Sequence, residues 1–340
     1  MLNSVASSQV IGPQMGKPSP SRLQRLAAAA SIATAAATLA FFEPSTGEPA
    51  TDFDQIMFAA KALLHGANPY ALMGPGKVYS NDFPLLYPIT SPVAVLPLGF
   101  VSSATATVIF VWVSAALLVY GATRDGWFLT PMFISSAFIY AARRGQWSPA
   151  LTSAWFLPWM GWVLAAKPNI GLAMFASASS LRMMKYAIIG ALVLGGVGLV
   201  LAPTWPRDWL AQLSQARHVV APVTQPGGFL VLLALLRWKR PEARLLVALA
   251  CVPHTMFWYE LLPLMVIPAT FNESVVFALV STTGLVFEQV LLSRGIHGTA
   301  LLRDFNAIMI AVAYLPATAM VLRRPNTGQL PWARAPQQNE

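Results

Sequence analysis

The sequence predicts an all-α polytopic membrane protein, and three observations carry that prediction. Of its 340 residues, 56% are hydrophobic and only 10% are charged, against about 25% charged in ordinary soluble domains. The mean hydropathy is +0.57. Apolar runs recur along most of the chain, many of them interrupted by proline. So few charges cannot cover a soluble surface of this size, which excludes the roughly two or three soluble domains that length alone would give. The formal net charge of +9 fits lysines and arginines retained in cytoplasmic loops. No basic run with interleaved aromatics reads as a nucleic-acid groove, so no nucleic-acid partner is expected. The single cysteine, Cys251, lies in an apolar segment and has no partner for a disulfide within the chain.

Residues 1–21 are rich in Ser, Gly and Pro and read as a disordered cytoplasmic tail. Arg22 and Arg25 precede an Ala-rich run over 26–42, read as an uncleaved first span. The loop 44–83 then falls on the external side. It carries Glu48, Asp52, Asp54 and Asp82 against Lys61 and Lys77. Within it Phe53, Ile56, Met57, Ala60, Leu63 and Leu64 recur at helical spacing, the stripe of an amphipathic helix lying on the outer membrane surface. Later candidate spans cover 84–101, 104–121, 127–142, 148–165, 168–181, 185–203, 226–238, 243–255, 258–271, 275–292 and 304–322. Several are short for a bilayer, and fusions or half-helices leave about 10–12 spans. They form a single domain over 22–325, with 326–340 a cytoplasmic tail. With both termini inside, most of the 22 lysines and arginines fall on the cytoplasmic side, anchored by "RWKRPEAR" at 237–244.

Two carboxylates open the loop helix, and the first has two readings. Asp52 or Thr51 serves as a helix N-cap, or Asp52 is a base at the membrane interface. Asp54 is two residues on, so on a helix the two side chains diverge by about 200° and are not expected to act as one pair. Lys167 lies between two apolar stretches; it is a functional cation by default or a snorkelling interfacial lysine. His254 stands beside Trp258, Tyr259 and Glu260 and is a packing residue or a site residue. The span count puts Arg143 and Arg144 inside, yet Arg144 and Gln146 would face the site if 127–142 does not fully cross. The tryptophans 112, 127, 155, 159, 162, 205, 209 and 258 mostly read as an interfacial belt. Residues 204–225 offer a second surface helix, closing over the acceptor or serving as a passive connector. No Gly-rich P-loop, HExxH or zinc cluster occurs, which argues against nucleotide hydrolysis and metallopeptidase chemistry.

The order of six elements carries a family resemblance. An acid-led helix precedes Gly66-Ala67-Asn68-Pro69-Tyr70, and Tyr87-Pro88-Ile89 opens the next segment. "RRGQWSPAL" (143–151), "LAAKPNIGL" (164–172) and "VPHTMFWYELLPL" (252–264) follow. Together they resemble the GT-C superfamily of integral-membrane glycosyltransferases, and more narrowly family GT87. The family's second proline after Tyr87-Pro88 is replaced by Ile89. The resemblance implies a GT-C-like bundle and a sugar, by family default mannose, carried on a polyprenyl phosphate. It implies transfer to a glycolipid or glycan acceptor, with inversion, on the outer face of a bacterial-type plasma membrane; no cofactor is expected, and no residue is assigned as a metal ligand. By position Asp52 would be the base and Asp54 its alternative. Lys167, His254, Arg144 and Gln146 would hold the donor phosphate, and Tyr70 and Tyr87 would shape the pocket. The competing class is a secondary transporter or lipid-linked-sugar flippase. A transporter is expected to carry internal repeats around a midplane site, and no repetition between the halves is visible.

Overall fold

The computed structural model describes residues 19–43, 51–80, 83–216, 219–296 and 298–328. The two terminal tails and the acids Glu48 and Asp82 of the first loop fall largely or wholly outside these residues. Among the described residues the chain is helical, with two isolated bridges, Met73–Tyr79 and Val220–His254, and no strand. Among the described residues five helices are long and apolar enough to cross a membrane: Arg22–Phe42, Ser103–Ala122, Leu181–Leu201, Phe271–Ser293 and Asp304–Leu322.

Helix α1 (Arg22–Phe42) starts at a capping box in which Ser21 and Gln24 satisfy each other's backbone N–H groups. Its buried face is a stripe of alanines, 29, 33, 36, 37 and 40. Small residues at this spacing let backbones approach closely where water supplies no driving force. The stripe packs on α5 (Ser103–Ala122), introduced by the shorter α2 (Asp52–Leu64), α3 (Pro69–Leu72) and α4 (Thr90–Ala94). Arg25 donates to the Tyr120 carbonyl at 2.5 Å and lies 4.0 Å over its ring. The end of α5 therefore sits beside the start of α1, and the two run antiparallel.

The rest of the bundle comprises α6 (Ser136–Arg143), α7 (Ser148–Phe156), α8 (Pro168–Ala176), α9 (Leu181–Leu201), α10 (Trp205–Leu213), α11 (Pro241–Cys251), α12 (Phe271–Thr282), α13 (Gly284–Ser293), α14 (Gly298–Met309) and α15 (Leu315–Leu322). Tighter 3-10 segments, among them Pro158–Ala166, Gly228–Arg237 and Trp258–Val266, link them. One end of the bundle is basic. There Arg244 donates to the Ser177 and Ala178 carbonyls, and Arg237 to those of Leu322 and Arg324, capping α8 and α15. Arg240 and Arg324 share Glu242, and Arg324 also reaches Glu273 at 2.6 Å.

Two stretches read as spans turn back instead. In 84–101, prolines at 84, 88, 92 and 97 remove the donors a continuous helix needs. The chain folds along α2, with Gly99 against Leu64 and Ser103 accepting from Lys61 at 3.4 Å. In 148–166, Pro158 drives Leu157 out of the helical region (φ −121°, ψ 84°). Helix α7 and the 3-10 segment then form a hairpin whose two ends meet, because Lys167 donates to Gln146 at 3.2 Å. The first reversal puts residues 124 and 143–144 at the ends opposite to those the span count gave them. The second restores the order from Lys167 onward. Arg143 and Arg144 accordingly lie at the end of α1, paired with Glu43 at 2.6 Å and 3.8 Å.

The hairpin packs on α9 through glycines: a Cβ at Gly161 would sit 2.4 Å from the Met183 carbonyl, and one at Gly190 2.4 Å from that of Trp162. Backbone atoms cannot yield as a flexible side chain does. Gly190→Val is expected to destabilise by about 1–3 kcal/mol, read by thermal unfolding in detergent. Gly196→Ala, with nothing within 4 Å of the new Cβ, should leave the transition unmoved or slightly raised.

Candidate functional site

At the end of the bundle away from the arginine cluster lies a cavity of about 680 Å³. Its floor is polar, with Asp52, Arg144, Lys167, Asn169, His254, Thr255, Tyr259 and Glu260; its walls are apolar, from Phe83, Leu86, Leu172, Leu213 and Val219 among others. Six chain segments contribute: α2, the stretch 83–88, the turn after α6, the junction into α8, α10 with the residues after it, and the loop 252–260.

Asp52 is the first residue of α2, whose buried Phe53, Ile56, Met57, Ala60 and Leu63 hold the helix against the bundle. That face fixes where the carboxylate enters the cavity. The N-terminal end of a helix also favours a negative charge. Gln146 donates to Asp52 Oδ2, and Tyr259 hydrogen-bonds it as well. Burial raises the Asp52 carboxyl above its ordinary range; the Lys167 and Arg144 charges oppose that shift without cancelling it. Asp54 takes the other direction around the helix: it accepts from the Thr51 hydroxyl at 3.1 Å and is not in the cavity lining.

Lys167 caps the start of α8 and is buried. It pairs with Glu260 at 3.0 Å, donates to Gln146, and lies 4.7 Å over the Tyr259 ring. Two of the ammonium's three N–H donors are thus engaged. Glu260 is 3% exposed and accepts four hydrogen bonds, from Lys167, Asn169 (3.0 Å), and the Thr255 N–H (2.7 Å) and hydroxyl (2.6 Å). The loop that delivers Thr255 contains Met256 at φ 51°, a left-handed conformation unusual for a non-glycine residue. Such local strain clusters at functional sites.

His254 reaches the cavity, but both ring nitrogens are engaged by the protein. Nδ1 lies 2.7 Å from the Val252 carbonyl and so carries the proton; Nε2, 2.8 Å from the Tyr314 hydroxyl, accepts. The ring, rather than a nitrogen, faces a ligand. Tyr87 lines the cavity and donates to Gln146 at 3.3 Å. Tyr70 stands behind it, its hydroxyl on the Tyr87 carbonyl at 3.0 Å, and does not line the space. Helix α10 forms one wall: Trp209 donates to the Leu86 carbonyl at 2.9 Å, and Asp208 accepts from Asn68 at 2.6 Å in the Gly66–Tyr70 turn. Trp258 is no belt residue. It is fully buried and donates to Glu288 at 3.2 Å.

Asp52, Arg144, Gln146, Lys167, Tyr87 and His254 therefore come together, while Asp54 and Tyr70 stay outside the space. Glu260, Asn169 and Tyr259 line the cavity and are not among the site residues the sequence singles out; Glu43, outside the lining, pairs with Arg143 and Arg144. The signal for Glu260 was present: an acid inside "FWYELLPL" is as costly in an apolar stretch as Lys167 and calls for a counter-charge. Among the described residues no group of three or more His, Cys, Asp or Glu could hold a metal ion. Set against family models, curated proteins and solved structures, the chain finds no match in any of the three. The geometry and the sequence resemblance are what the functional reading rests on.

Proposed function

We propose that the chain is a GT-C-type membrane glycosyltransferase of the GT87 kind, moving a sugar, by family default mannose, from a polyprenyl phosphate to a glycolipid or glycan hydroxyl. The observation that carries this reading is the meeting of Asp52 with Lys167 and Arg144 in one cavity that has a polar floor and apolar walls. In the reaction an acceptor hydroxyl gives its proton to Asp52 as its oxygen attacks the anomeric carbon. The bond from that carbon to the lipid phosphate breaks, and the electron pair leaves with the phosphate. Lys167 and Arg144 stabilise the departing charge. The cavity's apolar walls accommodate the lipid, and Tyr87 and the His254 ring bound the sugar. The arginine cluster at the end opposite the cavity supports, by the positive-inside rule, a reading with the cavity outside, the termini in the cytoplasm and about ten crossings. A transporter or flippase fits less well, since the acids it would need lie at the end of the bundle rather than midway along it.

The test is incubation of the purified protein in lipid with radiolabelled polyprenyl-phosphate mannose and a membrane glycolipid extract. Label in a new glycolipid supports the reading; label that stays on the polyprenyl phosphate across sugars and acceptors contradicts it. Sidedness has its own check. With Cys251 replaced by Ala, single cysteines at Arg143 and at Arg124 should label from opposite faces of a vesicle, and labelling from one face would overturn the topology.

The pH dependence follows from Asp52. A base acts only when deprotonated, and its carboxyl is held above the ordinary value of 3.8. Transfer should therefore rise with pH, with an acid limb above that value. The sign for stability is opposite: Asp52 contributes at low pH, and that contribution is lost as pH rises through its folded midpoint. A pH–rate profile of kcat checks the first point.

A further inference from the structure

We propose that Glu260 is a positioning residue that sets the geometry and ionisation of Asp52 through Lys167 and Gln146; this rests on the transferase reading above. The Gln146 amide has an accepting and a donating end. Lys167 Nζ and the Tyr87 hydroxyl both point at the same atom of it, at 3.2 Å and 3.3 Å. Lysine has no acceptor, so that atom is the carbonyl oxygen. The amide nitrogen is thereby turned to Asp52 Oδ2. Gln146 is 1% exposed and has no solvent to offer another arrangement.

Lys167 fixes Gln146, and Glu260 fixes Lys167. Glu260 lies on the 3-10 segment Trp258–Val266, and its four donors come from two other places: Lys167 and Asn169 at the start of α8, and Thr255 in the strained loop. It does not touch the cavity's reacting position through Asp52 directly. It holds the cation that would otherwise turn to Asp52. A Lys167–Asp52 ion pair would occupy the carboxylate and weaken it as a base, because an opposite charge at this range lowers a carboxyl pKa by about 1–3 units.

The charged and titratable groups facing Asp52 are few enough to make this readable. They are Arg144 from the turn after α6, Lys167, Tyr259 and Glu260, with Tyr87 in the cavity lining, Tyr79 outside it and Asp54 on its own helix. Of these, only the Glu260–Lys167 pair joins a buried cation to a buried acid within 3.0 Å.

The experiment uses the full-length protein in lipid nanodiscs and two readouts. The first is an infrared pH titration of the Asp52 carboxyl band, assigned by its loss in Asp52→Asn. The second is kcat and KM for transfer from a polyprenyl-phosphate sugar. Glu260→Gln keeps the hydrogen-bonding shape but frees Lys167. It is expected to lower the Asp52 midpoint by about 1 unit or more and kcat by about 10²-fold, with KM changed less. Glu260→Asp is expected to restore both toward wild type. An unchanged or raised midpoint in Glu260→Gln overturns the proposal whatever happens to kcat. If Glu260→Gln does not fold, the charge-neutral double variant Glu260→Gln/Lys167→Gln replaces it. There the midpoint should rise, as Asp52 loses its nearest cation, and an unchanged midpoint overturns the proposal. If wild type transfers no sugar, the transferase reading fails, and the infrared titration still decides the role of Glu260.

Discussion

Asp52→Asn is expected to reduce sugar transfer by about 10²–10⁴-fold, the range that general-base proton transfer supplies, while the protein stays folded. Asparagine has the same shape, and its carbonyl can still accept from Gln146. What it loses is the ability to take the acceptor's proton. The residual rate would reflect positioning and charge stabilisation at the phosphate. Asp54→Asn gives the contrast. Asp54 accepts from Thr51 on the side of α2 away from the lining, so its variant should transfer near the wild-type rate. The assay is initial rate of transfer from labelled donor, with thermal unfolding run beside it. Equal loss in both variants, or loss in Asp54→Asn alone, would move the base and undo the reading of α2.

The second large effect is expected from Lys167→Met. The substitution leaves Glu260, 3% exposed, without its cation, and breaking a buried pair from one side costs about 3–5 kcal/mol. The loss should appear in detergent unfolding, and it should exceed that of Arg144→Gln, because Arg144 is 24% exposed and its partner Glu43 keeps Arg143. On the proposed transferase reading, Lys167→Met is also expected to slow transfer, since it removes a cation assigned to the departing phosphate. A variant as stable as wild type would mean that Lys167 and Glu260 are not paired as the structure has them.

The helical class was legible because composition alone decides it, and α2 because its apolar stripe has one period from Phe53 to Leu63. Asp52 could be singled out for its place at the head of that helix. The turning-back of 84–101 and 148–166 was harder, since hydropathy reads the same for a crossing and a hairpin. Prolines 84, 88, 92, 97 and 158 were the available signal, and membrane helices tolerate proline often enough to blur it. That one ambiguity sent Arg143 and Arg144 to the wrong end in the span count. Glu43 and Glu260 stayed hidden for a different reason. Each acquires its meaning from a cation that is distant in sequence, Arg143 for the first and Lys167 for the second. His254 was legible as a residue of the region but not in its detail, because Tyr314 lies 60 residues on.

The most direct test of the central claim follows donor and sugar together. The protein is reconstituted in vesicles holding a polyprenyl-phosphate sugar labelled at the anomeric carbon, with acceptor supplied on the cavity side. The label is expected to leave the lipid and appear in a new glycoside of inverted anomeric configuration, in wild type but not in Asp52→Asn. Donor that crosses to the other leaflet chemically intact, with no glycoside formed, would contradict that claim.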